Sequence, residues 1–211
     1  MRSMTINLGI LICGMGTNMN AILSAIQKRI IKNVRPSIVV SNKMNAPGLR
    51  IAREKFKVPV KVILRDGLNN WDYDRQIGSA LCEYGVTPSH GLICLAGFMH
   101  ILSPEFVREY NMRIMNIHPS LLPTFPGLHA QRQAIEYGVK VSGCTVHFVD
   151  EGVDSGPIIS QKAVPIFDSD TEETLSSRIL RQEHKLYQKS VKLFAEGKIL
   201  VKGRRVFIRT K

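Results

Sequence analysis

The sequence has no Cys-x-x-Cys pair, no bilayer-spanning apolar run, no low-complexity tract and no internal repeat. Its four cysteines, Cys13, Cys82, Cys94 and Cys144, are widely separated. Most sit inside apolar runs, where a free thiol serves as a small core hydrophobe. That usage points to a reducing compartment, and a cytoplasmic location is expected. The apolar segment 6–13, a few residues after Arg2, leads into Gly14-Met15-Gly16-Thr17-Asn18 rather than a small-residue cleavage site, which argues against a secretory leader. No later stretch approaches the roughly 20 apolar residues of a membrane-spanning helix, so no membrane partner is expected. Metal-ligand spacing is missing too. His147 with Asp150 or Glu151 is the nearest cluster, and no metal is expected.

Acidic residues are few: 17 Asp and Glu stand against 29 Lys and Arg, a formal net charge of +12. The basic residues are scattered along the chain. The one dense run, 198–211, alternates with apolar residues and reads as a strand with one solvated face. General surface composition explains the charge best, small anionic substrates next and nucleic acid least. No nucleic-acid partner is expected. With 44% hydrophobic residues over 211 positions and no linker, the chain supports one domain over 1–211.

Apolar runs alternate with helical periodicity. Strands are expected at 6–13, 36–41, 58–64, 91–97, 113–118, 141–149 and 158–164, the last two as a hairpin. Helices are expected after the glycine turn at 14–18, at 47–56, 71–84, 103–110 and 130–137, and as one long amphipathic helix at 171–195. Ser103 and Thr171 are suited to cap two of them. This order implies an α/β fold: an open, mostly parallel twisted sheet with helices on both faces.

Two familiar nucleotide signatures are absent. A dinucleotide fingerprint needs a third glycine at 19, where Met19 stands, and an acid after the second strand, where Ser41-Asn42-Lys43 supplies none. No Gly-Lys-Ser/Thr loop exists either. What survives is Gly14-x-Gly16 between a strand and a helix, a turn able to hold a single phosphate with Thr17 and Asn18. Asn116 and His118 lie two apart at a strand's end, so they share a face. A carboxamide donor beside an imidazole is a minimal kit for carbonyl chemistry. Pro119, Pro123, Pro126 and Gly127 follow and restrict the loop behind them. The acidic turn 150–157 can bring a carboxylate to His118, raising its pKa and orienting it. Gln182-Glu183-His184 in the last helix is either a solvated face or a recognition element for an amine or hydroxyl.

Together these motifs resemble the folate-dependent phosphoribosylglycinamide formyltransferase family. The resemblance rests on Asn116-Ile117-His118-Pro119-Ser120-Leu121-Leu122-Pro123, on Leu95-Ala96-Gly97-Phe98-Met99-His100-Ile101-Leu102-Ser103, and on the stretch from Val146 to Pro157. Gln182-Glu183-His184 and Cys13 to Asn18 complete it. It spans about residues 6–196. It implies a Rossmann-like N-terminal half, about 1–100, that binds phosphate, and a catalytic and folate half, about 101–211. It also implies 10-formyltetrahydrofolate as co-substrate, phosphoribosylglycinamide as acceptor, and a place in purine synthesis. Carried over by position, Asn116, His118 and Asp154 are the catalytic trio. Gly16, Thr17, Asn18, Leu180, Arg181, Gln182 and Glu183 meet the acceptor. Asn70, Met99, His100, Ile101, Leu102, Asn116, Asp150, Glu151, Gly152, Val153 and Asp154 meet the formyl folate. The resemblance also implies a cis bond before Pro123 and leaves monomer and homodimer open.

His100 and Asn70 depart from the Arg that many relatives carry, and Ser155 replaces a glycine in the acidic turn. Methionyl-tRNA formyltransferases share the Asn-x-His chemistry but normally carry a further C-terminal domain. Formyltetrahydrofolate deformylases usually carry an extra N-terminal one. A non-catalytic nucleotide-binding module would leave Asn116, His118 and Asp154 without a task.

Overall fold

Buried, β-branched runs flanked by amphipathic helices produce the layered architecture of the computed structural model, which describes residues 5–210. Arg2 and Lys211 lie outside the described residues. The strands are β1 (Ile6–Ile12), β2 (Val34–Ser41), β3 (Val60–Val62), β4 (Gly91–Leu95), β5 (Ile114–His118), β6 (Val141–Phe148), β7 (Ile158–Pro165), β8 (Ile199–Lys202) and β9 (Arg205–Ile208). The α-helices are α1 (Thr17–Gln27), α2 (Pro47–Arg50), α3 (Asn70–Glu83), α4 (Pro104–Glu109), α5 (Ala130–Tyr137) and α6 (Glu172–Ala195). Thr171 caps α6 in a reciprocal capping box with Thr174, and Ser103 caps α4.

Seven strands form one sheet in the order β3-β2-β1-β4-β5-β6-β7. Pairing is parallel from β3 to β5 and antiparallel at β5-β6 and β6-β7. Alternate residues of β1 feed opposite faces. Leu8, Ile10 and Ile12 join a cluster with Ile22 of α1 and Ile179 of α6, while Leu11 joins Ile77 of α3 and Phe106 of α4. The order reverses at β1, whose neighbours are β2 and β4, and this opens a crevice beyond the carboxyl ends of the strands. No helix among the described residues is long and apolar enough to cross a membrane.

Three elements differ from the sequence expectation. Residues 58–64 yield only the short edge strand β3, because Pro59 has no N–H for the ladder and bonds only through its carbonyl, which accepts from Val39. The helix expected over 47–56 is α-helical for four residues and then passes into a π-helical turn, Ile51–Lys55. The basic C-terminal segment is a hairpin rather than one strand. Lys202 pairs with Arg205 across a two-residue turn, in which Gly203 takes a φ of 57° that a β-carbon would disfavour.

Candidate active site

At the end of β1 the chain turns through Gly16, whose φ of 66° makes it a left-handed N-cap for α1. No side chain caps this helix and no acid stands in its first turn, so its N-terminal N–H groups and positive dipole end are open to an anion. Gly48 packs directly against this turn. A β-carbon there would lie 3.0 Å from Gly14 O and 3.2 Å from Gly16 Cα. Asn18 is buried and donates through Nδ2 to Glu183 Oε2 at 2.8 Å, while its Oδ1 is buried without a protein partner. Burial raises the Glu183 pKa and the Asn18 bond opposes the rise. The structure therefore brings Asn18 and Glu183 together across the α1–α6 packing, with Thr17 beside Asn18 in the first turn of α1. Leu180 and Gln182 are half-buried on the same helix, and Arg181 is exposed.

A cavity of about 690 Å³ is lined in part by Gly97 and Met99, which bond to Cys13 at the end of β1. Its walls are the 97–102 loop, the ends of β5 and β6, the proline loop and the acidic turn. Met99 and Ile101 stand 70% and 63% exposed on one wall. Asp150 to Asp154 form another. Within that turn Asp150 Oδ1 accepts from Ser155 Oγ at 2.6 Å, and Glu151 pairs with Arg108 at 3.1 Å. Asn70 lies outside the lining. It accepts from Arg65 at 2.7 Å and donates to Ile101 O at 3.4 Å. His100 contributes to the wall, but its ring is turned inward onto Asp74.

Asn116, His118 and Asp154 meet in this cavity. His118 Nδ1 is 3.2 Å from Asp154 Oδ2, and His118 Nε2 is 2.8 Å from Phe125 O. Asn116 Nδ2 lies 3.3 Å from both Asp154 Oδ1 and His147 Nε2. Gly127 N also donates to Asp154 Oδ2 at 2.9 Å. Asp154 itself has a φ of 50°, a left-handed conformation rare outside glycine, held by these contacts. Burial pushes its carboxyl pKa up, but His147, Gly127 and His118 outweigh that and leave it below the ordinary value. For His118 the balance goes the other way. Burial lowers its pKa, and Asp154 with the Phe125 carbonyl raises it only part of the way back. The upward pull of Asp154 is therefore present, but burial outweighs it and holds the His118 pKa below its ordinary value.

His147 is a group that the sequence reading weighed only as a metal ligand. It is buried and donates from Nδ1 to Phe148 O at 2.8 Å, which turns Nε2 toward Asn116 Nδ2 at 3.3 Å and Asp154 Oδ1 at 3.5 Å. Alternation along β6 separates His147 from Cys144, Val146 and Phe148, but its pairing opposite Asn116 needs the antiparallel register. Thr145, opposite His118, holds the proline loop. It donates to Ser120 O at 2.7 Å and accepts from Leu122 N at 3.1 Å. The Leu122–Pro123 bond is cis.

Residues 6–191 match the sequence model of the formyl transferase family. The chain belongs to that family. It is 40% identical over 193 residues to phosphoribosylglycinamide formyltransferase of Escherichia coli K12, covering 92% of this chain and 89% of that protein. It is 43% identical over 197 residues to the trifunctional purine biosynthetic protein adenosine-3 of Gallus gallus, covering 93% of this chain but 19% of that protein. The crystal structure of glycinamide ribonucleotide transformylase 1 from Symbiobacterium toebii superposes with a TM-score of 0.92 at 45% identity, over 99% of this chain and 95% of that one. The formyl transferase match includes the glycine turn, Asn116, His118 and Asp154, while the β8-β9 hairpin lies beyond it.

Proposed function

We propose that this formyl transferase moves the formyl group of 10-formyltetrahydrofolate to the amine of phosphoribosylglycinamide, a step of purine synthesis. The observation that carries the reading is the meeting of Asn116, His118 and Asp154 in one cavity, in a chain whose α1 N-terminus is left uncapped. In this reading Gly16, Thr17 and Asn18 hold the acceptor phosphate, and Glu183 faces the rest of the acceptor. Met99, Ile101 and the acidic turn enclose the formyl folate.

As the amine attacks the formyl carbon, its nitrogen becomes cationic and the formyl oxygen anionic. Asn116 turns an N–H from its internal acceptors toward that oxygen. His118 gives up its bond to Phe125 O and donates to the same oxygen. Each well-placed donor supplies about 3 kcal/mol of transition-state stabilisation. The growing negative charge joins Asp154 in favouring the charged form of His118 against the burial that lowers its pKa. One proton leaves the amine and one reaches N10 of the departing tetrahydrofolate, so the C–N10 bond breaks as the new amide forms. No metal enters these steps.

The test is to follow 10-formyltetrahydrofolate with phosphoribosylglycinamide, with charged initiator tRNA, or with water alone. Loss of donor only with phosphoribosylglycinamide is expected. Loss that ignores the acceptor would overturn the reading in favour of hydrolysis, and loss with tRNA alone would reassign the acceptor.

A further inference from the structure

Asn70 and Asp74 sit one helical turn apart on α3, and both reach the loop between β4 and α4. Asp74 is fully buried. Its Oδ1 is 2.8 Å from His100 Nε2, and its Oδ2 accepts from Ser103 N at 2.5 Å. A carboxylate removed from water is tolerated when both oxygens are bonded, and here both donors come from one short loop. The His100 side chain is 5% exposed. Its ring stands edge-on to Tyr73 at 4.9 Å and packs against Phe98 at 5.9 Å. The residues on either side face the other way. Met99 and Ile101 project into the cavity, while their backbones are tied down by Met99 N on Cys13 Sγ at 3.0 Å and Asn70 Nδ2 on Ile101 O.

We propose that the Asp74–His100 pair is a clasp that positions the wall meeting the formyl donor. The two residues act through Met99 and Ile101, and the histidine ring itself does not touch the donor. The inference rests on the formyl-folate reading of the cavity. It assigns His100 a task different from a direct contact, because its ring is already committed to a buried carboxylate on another helix. It also assigns a role to Asp74, which carries no chemistry of its own and lies behind the cavity wall. An exposed loop with two large apolar side chains would otherwise collapse or flare. Anchors on alternate sides of residues 99–103 keep Met99 and Ile101 apart and facing outward.

The test compares the full chain with His100→Ala, His100→Arg and Asp74→Asn. Steady-state rates and backbone amide exchange over residues 98–103 are measured for each. His100→Ala is expected to raise KM for 10-formyltetrahydrofolate about tenfold, with kcat and the acceptor KM within about twofold of the parent. Exchange at Ser103 is expected to speed up about tenfold as its acceptor loosens. His100→Arg, which also presents a donor to Asp74, is expected to restore both readouts, something a merely space-filling role would not predict. Unchanged donor KM in His100→Ala, or a matching rise in the acceptor KM, would overturn the clasp. If the parent protein itself transfers no formyl group, the functional reading falls. The exchange comparison then decides the clasp alone, and unchanged exchange in His100→Ala overturns it. Should Asp74→Asn fail to fold, the two His100 variants carry the test.

Discussion

Asp154 combines a left-handed backbone with contacts to His118, Asn116 and the Gly127 N–H. Asp154→Asn keeps the shape and one acceptor but cannot pair with an imidazolium. Its kcat is expected to fall about 10²–10³-fold, with a changed pH profile; an unaltered rate and profile would remove Asp154 from the mechanism. His118 predicts a stability effect whose sign follows from burial. Its folded pKa lies below the unfolded 6.5, so the unfolded chain takes up the proton first. The contribution of His118 to stability is therefore complete above 6.5 and is lost as pH falls through the folded value. Urea titrations from pH 7.5 to 5 are expected to show a steeper loss in the parent than in His118→Gln. Equal slopes would mean that the ring is not held neutral.

At the scale of elements, α6 is tied to the middle of the sheet. Tyr187 is buried on it and donates to Leu95 O at 3.1 Å and Met115 O at 2.8 Å, at the point where β4 and β5 lie side by side. Tyr187→Phe leaves these carbonyls with fewer donors, and a loss of about 1–3 kcal/mol in urea unfolding is expected. The elements themselves were largely legible. Alternation and periodicity place every strand of the main sheet and every long helix within a few residues, because buried parallel strands and amphipathic helices leave strong patterns. Asn116 and His118 were readable as a pair because strand periodicity alone puts them on one face. The π-helical turn and the shortened β3 were not, since both depend on local hydrogen bonding that no period reports. His147 shows the same limit within the site. Its face follows from alternation, but its neighbour across the β5–β6 ladder is a matter of register. The inward turn of His100 was hidden for a related reason: its partner lies 26 residues away on another helix.

For the whole molecule, the formal charge of +12 and the open N-terminus of α1 favour small anionic ligands. Phosphoribosylglycinamide at about 100 times its Kd is expected to add about 2.7 kcal/mol to unfolding stability, through binding to the folded state alone. The gain should shrink as salt rises, because an exposed phosphate is screened. Scanning calorimetry at two ionic strengths reads both effects. A gain that ignores salt would place the phosphate away from the helix end.

The bond between Asn18 and Glu183 joins residues 165 apart in the chain, whereas that between Asn116 and Asp154 joins residues 38 apart. The two sides of the proposed reaction site therefore close over very different lengths of chain, and longer loops cost more entropy to close. During refolding, amides around β5, β6 and the acidic turn are expected to gain exchange protection before those of the glycine turn. On a growing chain the proposed acceptor side cannot be complete until α6 has been made. Pulse-labelled exchange would show this order, and simultaneous protection of both sides would refute it.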